Sequence, residues 1–225
     1  MQKTVILANG VFPKKGGTAW KLLESARRVI ACDGAADVFL RRFRRAPDYI
    51  VGDLDSIKVK RKGEKVKRKG EKGKSKSEKG KSVEGFHLIH VKDQSTNDLS
   101  KAIAFCRSKG WRNLVIVGAT GKREDHALGN IFRAMEAGIE IVTDCGRFLP
   151  FEKRLRLRVG KGAAVSVFAS DRRTRMTSRG LAWPLDGVRF DNLYCATLNH
   201  ATAAMIELTA DRPSFLYVGI RKNLI

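Results

Sequence analysis

A chain of 225 residues that is 43% hydrophobic can bury a core of its own, as one large domain or two small ones. Its net charge of +22 favours polyanionic ligands such as nucleotides or RNA without choosing between them. No apolar run approaches the ~20 residues of a membrane helix or makes a signal peptide, and four scattered cysteines without a CxxC pair argue against a disulfide framework or a zinc site, so a soluble cytoplasmic protein with no membrane partner is expected.

In chain order, "TVILA" reads as a strand, and a helix follows with Ala19, Leu22, Leu23 and Ala26 on one face. "RVIAC" is a strand, "GAADVFLRRF" a helix and "DYIVG" a third strand. Then comes a lysine run built on a heptad-length repeat. Between residues 57 and 83 it holds thirteen Lys or Arg against three Glu, so it supplies +10 of the net charge and leaves +12 to the rest. With almost no apolar residues and a glycine in each unit it cannot form a coiled-coil seam, which makes 57–85 a low-complexity, disordered insertion. Its alternative use is as a nucleic-acid tether, non-specific and salt-sensitive because it lacks aromatic residues.

Beyond the insertion, "FHLIHV" is a strand, the stretch from Asp98 to Lys109 puts Leu99, Ala102, Ile103 and Cys106 on one helical face, and "NLVIVGA" is a strand. The next helix presents Leu128, Ile131, Phe132 and Met135, and "IEIVTD" closes the series. This alternation predicts an α/β domain over 1–146, with a mostly parallel, Rossmann-like sheet and flanking helices. After Gly146 the helical period is lost, and "RLRLRV", "AAVSVFA", "MIELTA" and "FLYVGI" predict a small all-β domain over 147–225.

Ligands of open α/β sheets bind at the carboxyl ends of the strands. Four polar clusters are expected there: "CDGAAD" with Asp33, "GDLDS" with Asp53 and Asp55, "KDQSTND" with Gln94 and Asp98, and "GATGKREDH" with Arg123 and Asp125. Carboxylates two apart in an extended segment point the same way, and hard oxygen donors without nearby His or Cys suit Mg²⁺ on a polyphosphate. Helix N-capping is the competing explanation for Asp98 and Asp125. "GATGKRED" lacks the spacing and the Ser/Thr of a Walker A loop, and His87 and His90, three apart in a strand, face opposite sides.

Taken together, "ACDGAADVFL", "PDYIVGDLDSI", "DQSTNDLSKAI" and "GATGKREDHALGN" resemble the thiamine pyrophosphokinase family in order and context, and "GLAWPL" and "ATLNHAT" resemble its C-terminal motifs. The resemblance covers nearly the whole chain outside the insertion. It implies a β-sandwich after the α/β domain, a homodimer, ATP and thiamine as substrates, Mg²⁺ as cofactor, and thiamine diphosphate and AMP as products. It also implies Asp33, Asp53, Asp55 and Asp98 as metal and phosphate carboxylates, with Asp55, Asp98 and Arg123 as the catalytic set. Asn9, Lys101, Arg123, Asp125 and His126 would contact the nucleotide, and Gln94, Trp183 and Asn199 the thiamine. The chain departs from the family pattern at Asn97, at Glu124, and at Ala196 and Leu198, where polar side chains give way to apolar ones. The readings that compete with this are a related Mg²⁺- and nucleotide-dependent transferase with another acceptor, a glycosyltransferase, and a nucleic-acid-binding protein acting through the lysine run.

Overall fold

The computed structural model describes residues 3–53, 60–61, 82–83 and 85–220, the two dipeptides by backbone alone. Asp55 and the lysine run otherwise lie outside the described residues. The elements in chain order are β1 (Thr4–Leu7), α1 (Thr18–Glu24), β2 (Arg28–Cys32), α2 (Ala35–Phe43), β3 (Tyr49–Gly52), β4 (Lys60–Arg61), β5 (Ser82–Val83) and β6 (His87–His90). They continue with α3 (Asp98–Ser108), β7 (Leu114–Val117), α4 (Glu124–Ala137) and β8 (Glu140–Val142). The last strands are β9 (Gly146–Arg158), β10 (Ala164–Ala169), β11 (Met176–Arg179), β12 (Ala196–His200) and β13 (Met205–Gly219). The fold is a mixed sheet with flanking helices and a C-terminal β region. It divides into two compact units, one of the described residues up to Phe12 and from Leu22 to Leu114, the other of Pro13–Lys21 and the residues from Val115 onward.

In the first unit, β1, β2, β3 and β6 pair in that order, all parallel. Strands covered on both faces need continuous apolar runs rather than alternation, and Val5, Ile6, Val29, Ile30, Ile50 and Val51 are all fully buried. β6 ends the ladder, which is why His87 and His90 are both exposed instead of being buried like the inner strands. α3 buries Leu99, Ala102, Ile103 and Cys106, the face its spacing predicts. Its C-terminal end is fixed by aromatic packing: Phe105 lies 5.1 Å from Tyr49 and 5.8 Å from Trp111, with the Arg28 guanidinium 4.6 Å over the Trp111 ring. α1 stops before Ala26, because the chain turns to let Arg27 N–H donate to the Lys3 carbonyl on its way into β2.

In the second unit, β7 and β8 are parallel and β8 turns back antiparallel into β9. The path then runs β9, β13, β10 and β12, all antiparallel, with β11 also on β13. Here alternation decides the faces: Leu155 and Leu157 turn to the core while Arg154, Arg156 and Arg158 stay in solvent. The stretches expected as two strands, "MIELTA" and "FLYVGI", are one 15-residue strand carried through Asp211–Pro213 by a bulge. The stripe predicted on α4 is not a buried face. Leu128 and Phe132 are exposed and Ala134 is the buried residue of the helix, since a 3.6-residue period defines a stripe but not what covers it.

Candidate functional site

Three parallel strands of the first unit end together, and their ends carry the acidic side chains. Asp33 follows β2 in a left-handed conformation (φ 32°), a region Asp tolerates better than most residues. Its N–H donates to Val51 O, tying the end of β2 to β3, and its carbonyl accepts from Ala36 N to start α2. Asp33 is almost fully buried. Gly52 ends β3 and has no side chain where one would collide. A Cβ there would lie 3.0 Å from Asp33 Cβ and 3.3 Å from Asp98 Oδ1. The bare Gly52 backbone therefore lets the Asp33 and Asp98 side chains converge, with Asp53 the next residue along. Asn9 follows β1 and reaches the same strand ends, since a Cβ on Gly34 would meet its Nδ2 at 3.1 Å.

The loop from β6 into α3 is organised by Asp93, which accepts from Ser95 N (2.8 Å), Ser95 Oγ (2.6 Å) and Thr96 Oγ1 (2.9 Å). These bonds, the Ser95 hydroxyl first, hold its carboxyl below the usual carboxylate range. Asp93 was not expected at the site, although Asp followed by Ser and Thr is a turn-forming signal in its own right. Gln94 then donates from Nε2 to Asp53 Oδ2 at 3.4 Å. Asn97 is the N-cap of α3, its Oδ1 accepting from Ser100 N at 2.9 Å. Asp98 is therefore not the cap itself; it sits inside the first turn, where the helix dipole favours an acid, and accepts from Lys101 Nζ at 3.2 Å. The Lys101 side chain is only 3% exposed against 31% for Asp98, so Lys101 holds Asp98 from the protein side.

The buried thiols beside this cluster are not nucleophiles. Burial above all, and then the charges of Asp98, Cys106 and Asp33, push the Cys32 thiol well up, and burial raises Cys106 to about 12. Hard carboxylates at strand ends fit a magnesium ion, which typically takes one or two protein carboxylates and fills its shell with substrate phosphate and water. Among the described residues no three metal-ligating side chains form a complete cage.

In the second unit, Asn130 Nδ2 on α4 donates to Ala119 O at 2.9 Å and pins the loop after β7. Arg123 occupies the N-cap position of α4 without a side-chain cap, and Asp125 lies in the acidic first turn. Asp125 instead grips Arg123 through Nε (3.1 Å) and Nη2 (2.6 Å), which lowers its carboxyl to about 2. Two of the five guanidinium N–H groups are used in this grip, leaving three for an anion. His126 is exposed on the same turn.

The C-terminal candidates also lie in this unit. Trp183 is 68% exposed, and Leu198 91%. Leu198 is left-handed (φ 61°) at a register shift, where three steps of β12, from Ala196 to Asn199, match two of β10. Asn199 is buried, with Oδ1 accepting from Trp183 N (3.1 Å) and His200 N (2.9 Å) and Nδ2 donating to Trp183 O (2.7 Å).

Comparison with known proteins gives one consistent result. Residues 19–143 match the family model described as thiamin pyrophosphokinase, catalytic domain, and residues 146–217 the one described as thiamin pyrophosphokinase, substrate-binding domain. No curated protein matches the chain in sequence. Among solved structures, a thiamin pyrophosphokinase family protein from Enterococcus faecalis superposes with a TM-score of 0.72 at 14% identity, covering 98% of this chain and 100% of that one. Thiamin pyrophosphokinase from Candida albicans gives 0.68 at 14% identity over 98% and 90%. The yeast enzyme gives 0.69 at 13% identity over 98% and 86%. At such identities the structural likeness shows the fold, whereas the two family models cover most of the chain.

Proposed function

The chain belongs to the thiamin pyrophosphokinase family, and from that premise we propose that it moves the terminal diphosphate of ATP onto thiamine at the aspartate-bearing strand ends. It is an enzyme that transfers pyrophosphate to thiamine. The observation that carries the finer reading is the bare Gly52 backbone between Asp33 and Asp98, which brings two carboxylates together with Asp53 adjoining them.

In this reading Asp33, Asp53, Asp55 and Asp98 hold Mg²⁺. The ion, when bound, neutralises phosphate oxygens and screens the charge of the leaving group. Arg123 turns its remaining N–H groups to the nucleotide, supported by Asp125 and His126, and Asn9 lines the same ligand. Lys101 acts indirectly by holding Asp98 in place. The hydroxyethyl oxygen of thiamine attacks the β-phosphorus, the bond from that phosphorus to the α-phosphate oxygen breaks, and AMP leaves. The alcohol proton passes to one of two aspartates of this set, Asp98 or Asp55. Gln94 faces the pyrimidine, and the exposed indole of Trp183 stacks on the flat, cationic acceptor, the kind of ligand that an indole face attracts.

The mostly parallel, Rossmann-like domain over 1–146, a β-sandwich over 147–225, a homodimer and a cytoplasmic setting belong to the same proposal. The last is supported by four free cysteines and by the absence, among the described residues, of a helix long and apolar enough to cross a membrane.

The test is a product assay with ATP, Mg²⁺ and thiamine that measures thiamine diphosphate and AMP together. Equal amounts of both are expected, with turnover reduced by about 10³-fold in Asp53→Asn. Release of a nucleoside diphosphate instead of AMP would overturn the reading.

A further inference from the structure

We propose that Asn199 is a positioning residue for the acceptor, acting through Trp183 instead of touching the ligand itself. The inference rests on Trp183 as the acceptor platform.

The segment carrying Trp183 enters as a short antiparallel arm: Leu181 bridges Ala201, and Ala182 N–H donates to His200 O at 2.9 Å. At Trp183 the backbone ladder stops, and a side chain takes over. The Asn199 amide accepts from the Trp183 N–H and donates to the Trp183 carbonyl, the pair of bonds a neighbouring strand would have made. Its oxygen also accepts from His200 N, which fills both lone pairs. Because Trp183 presents both a donor and an acceptor, only one amide orientation satisfies the set. The bulge at Leu198 has a function in this arrangement. The extra residue in β12 lets Asn199 pair opposite Val165 while its side chain is buried, with Leu198 turned out into solvent.

The result is an indole that is two-thirds exposed yet fixed at its own backbone. A stacking platform needs this, because an indole free to swing loses on ordering what it gains by contact. No smaller or charged residue reproduces the grip. Alanine removes both bonds, and aspartate keeps the acceptor but sets a carboxylate against the Trp183 carbonyl.

A double-mutant cycle tests this, with KM for thiamine and for ATP measured in the wild-type enzyme, Asn199→Ala, Trp183→Ala and the double variant. Asn199→Ala is expected to raise the KM for thiamine about tenfold with the KM for ATP unchanged, and to add less than about twofold once Trp183 is already alanine. Asn199→Asp and Asn199→Ser carry the same cycle if the alanine variant does not fold. An unchanged KM for thiamine with only a lower melting temperature would make Asn199 merely structural, and full additivity would make it a direct ligand contact. An unchanged KM for thiamine in Trp183→Ala would remove the platform. Each of these overturns the inference while leaving the activity standing. A wild-type enzyme that turns over no thiamine overturns both readings together.

Discussion

The strand ends of the first unit and the Trp183 region of the second solve opposite problems. Around Gly52 the groups are polar and packed: Asp33 is almost fully buried, Asp98 is held by a Lys101 that is 3% exposed, and the absence of one side chain decides how close the carboxylates come. At Trp183 the group is apolar and open, and one buried amide supplies the order. Phosphate chemistry depends on charges that are fixed before the reaction begins, because reorganising them during it raises the barrier. Recognition of a flat acceptor depends on area and orientation, which a single anchored ring provides. Fixed charge is built by crowding, and an accessible surface by tethering.

Three changes sharpen or break that contrast. The largest effect is expected from Gly52→Ala, whose methyl would lie 3.0 Å from Asp33 Cβ and 3.3 Å from Asp98 Oδ1. Turnover should fall about 10²-fold with a stability loss of about 1–3 kcal/mol. Steady-state kinetics beside a denaturant melt checks it, and a fully active alanine variant would show that crowding is not what sets the site. A smaller change of opposite sign is expected from Leu198→Gly. Relieving a left-handed leucine that is 91% exposed should stabilise the fold by about 1 kcal/mol, seen as a melting temperature a few degrees higher. The smallest is electrostatic. Asp125 titrates at about 2 because Arg123 grips it, so any stability it contributes is complete above the ordinary carboxylate value of 3.8 and is lost as pH falls through about 2. In Arg123→Ala, side-chain NMR should find Asp125 titrating back near 3.8, with little change in melting at neutral pH because both groups are exposed.

The parallel strands and α3 were legible from sequence because burial on two faces and a four-residue apolar stripe leave few other solutions. The placing of Asp33 and Asp53 at strand ends was legible for a related reason: each comes straight after a buried apolar run, at the point where the strand has to stop. What could not be read depended on partners far along the chain. The exposure of Leu128 and Phe132 depends on what packs against α4, which no local period encodes. "MIELTA" and "FLYVGI" were read as separate strands, yet a bulge between Ala210 and Ser214 carries β13 through both. Asn199 was expected to face thiamine. Its grip on the Trp183 backbone follows from a one-residue register shift against β10, invisible until the strands are paired. Asp55 lies outside the described residues.

β13 has one more consequence, for how the chain is made. It pairs with β9 along both of its halves, with β11 along the first and with β10 along the second, so the strand that organises the C-terminal sheet is synthesised after all three of these partners. Until Met205–Gly219 emerges, β9, β10 and β11 all wait with open edges, and Gly146 cannot meet Gly219, 73 positions away. The C-terminal sheet therefore closes only once β13 is available. A nascent chain halted before Met205 would keep the parallel strands of the first unit and leave β9, β10 and β11 without this shared neighbour, so the interval before β13 emerges is the one in which a chaperone is most needed.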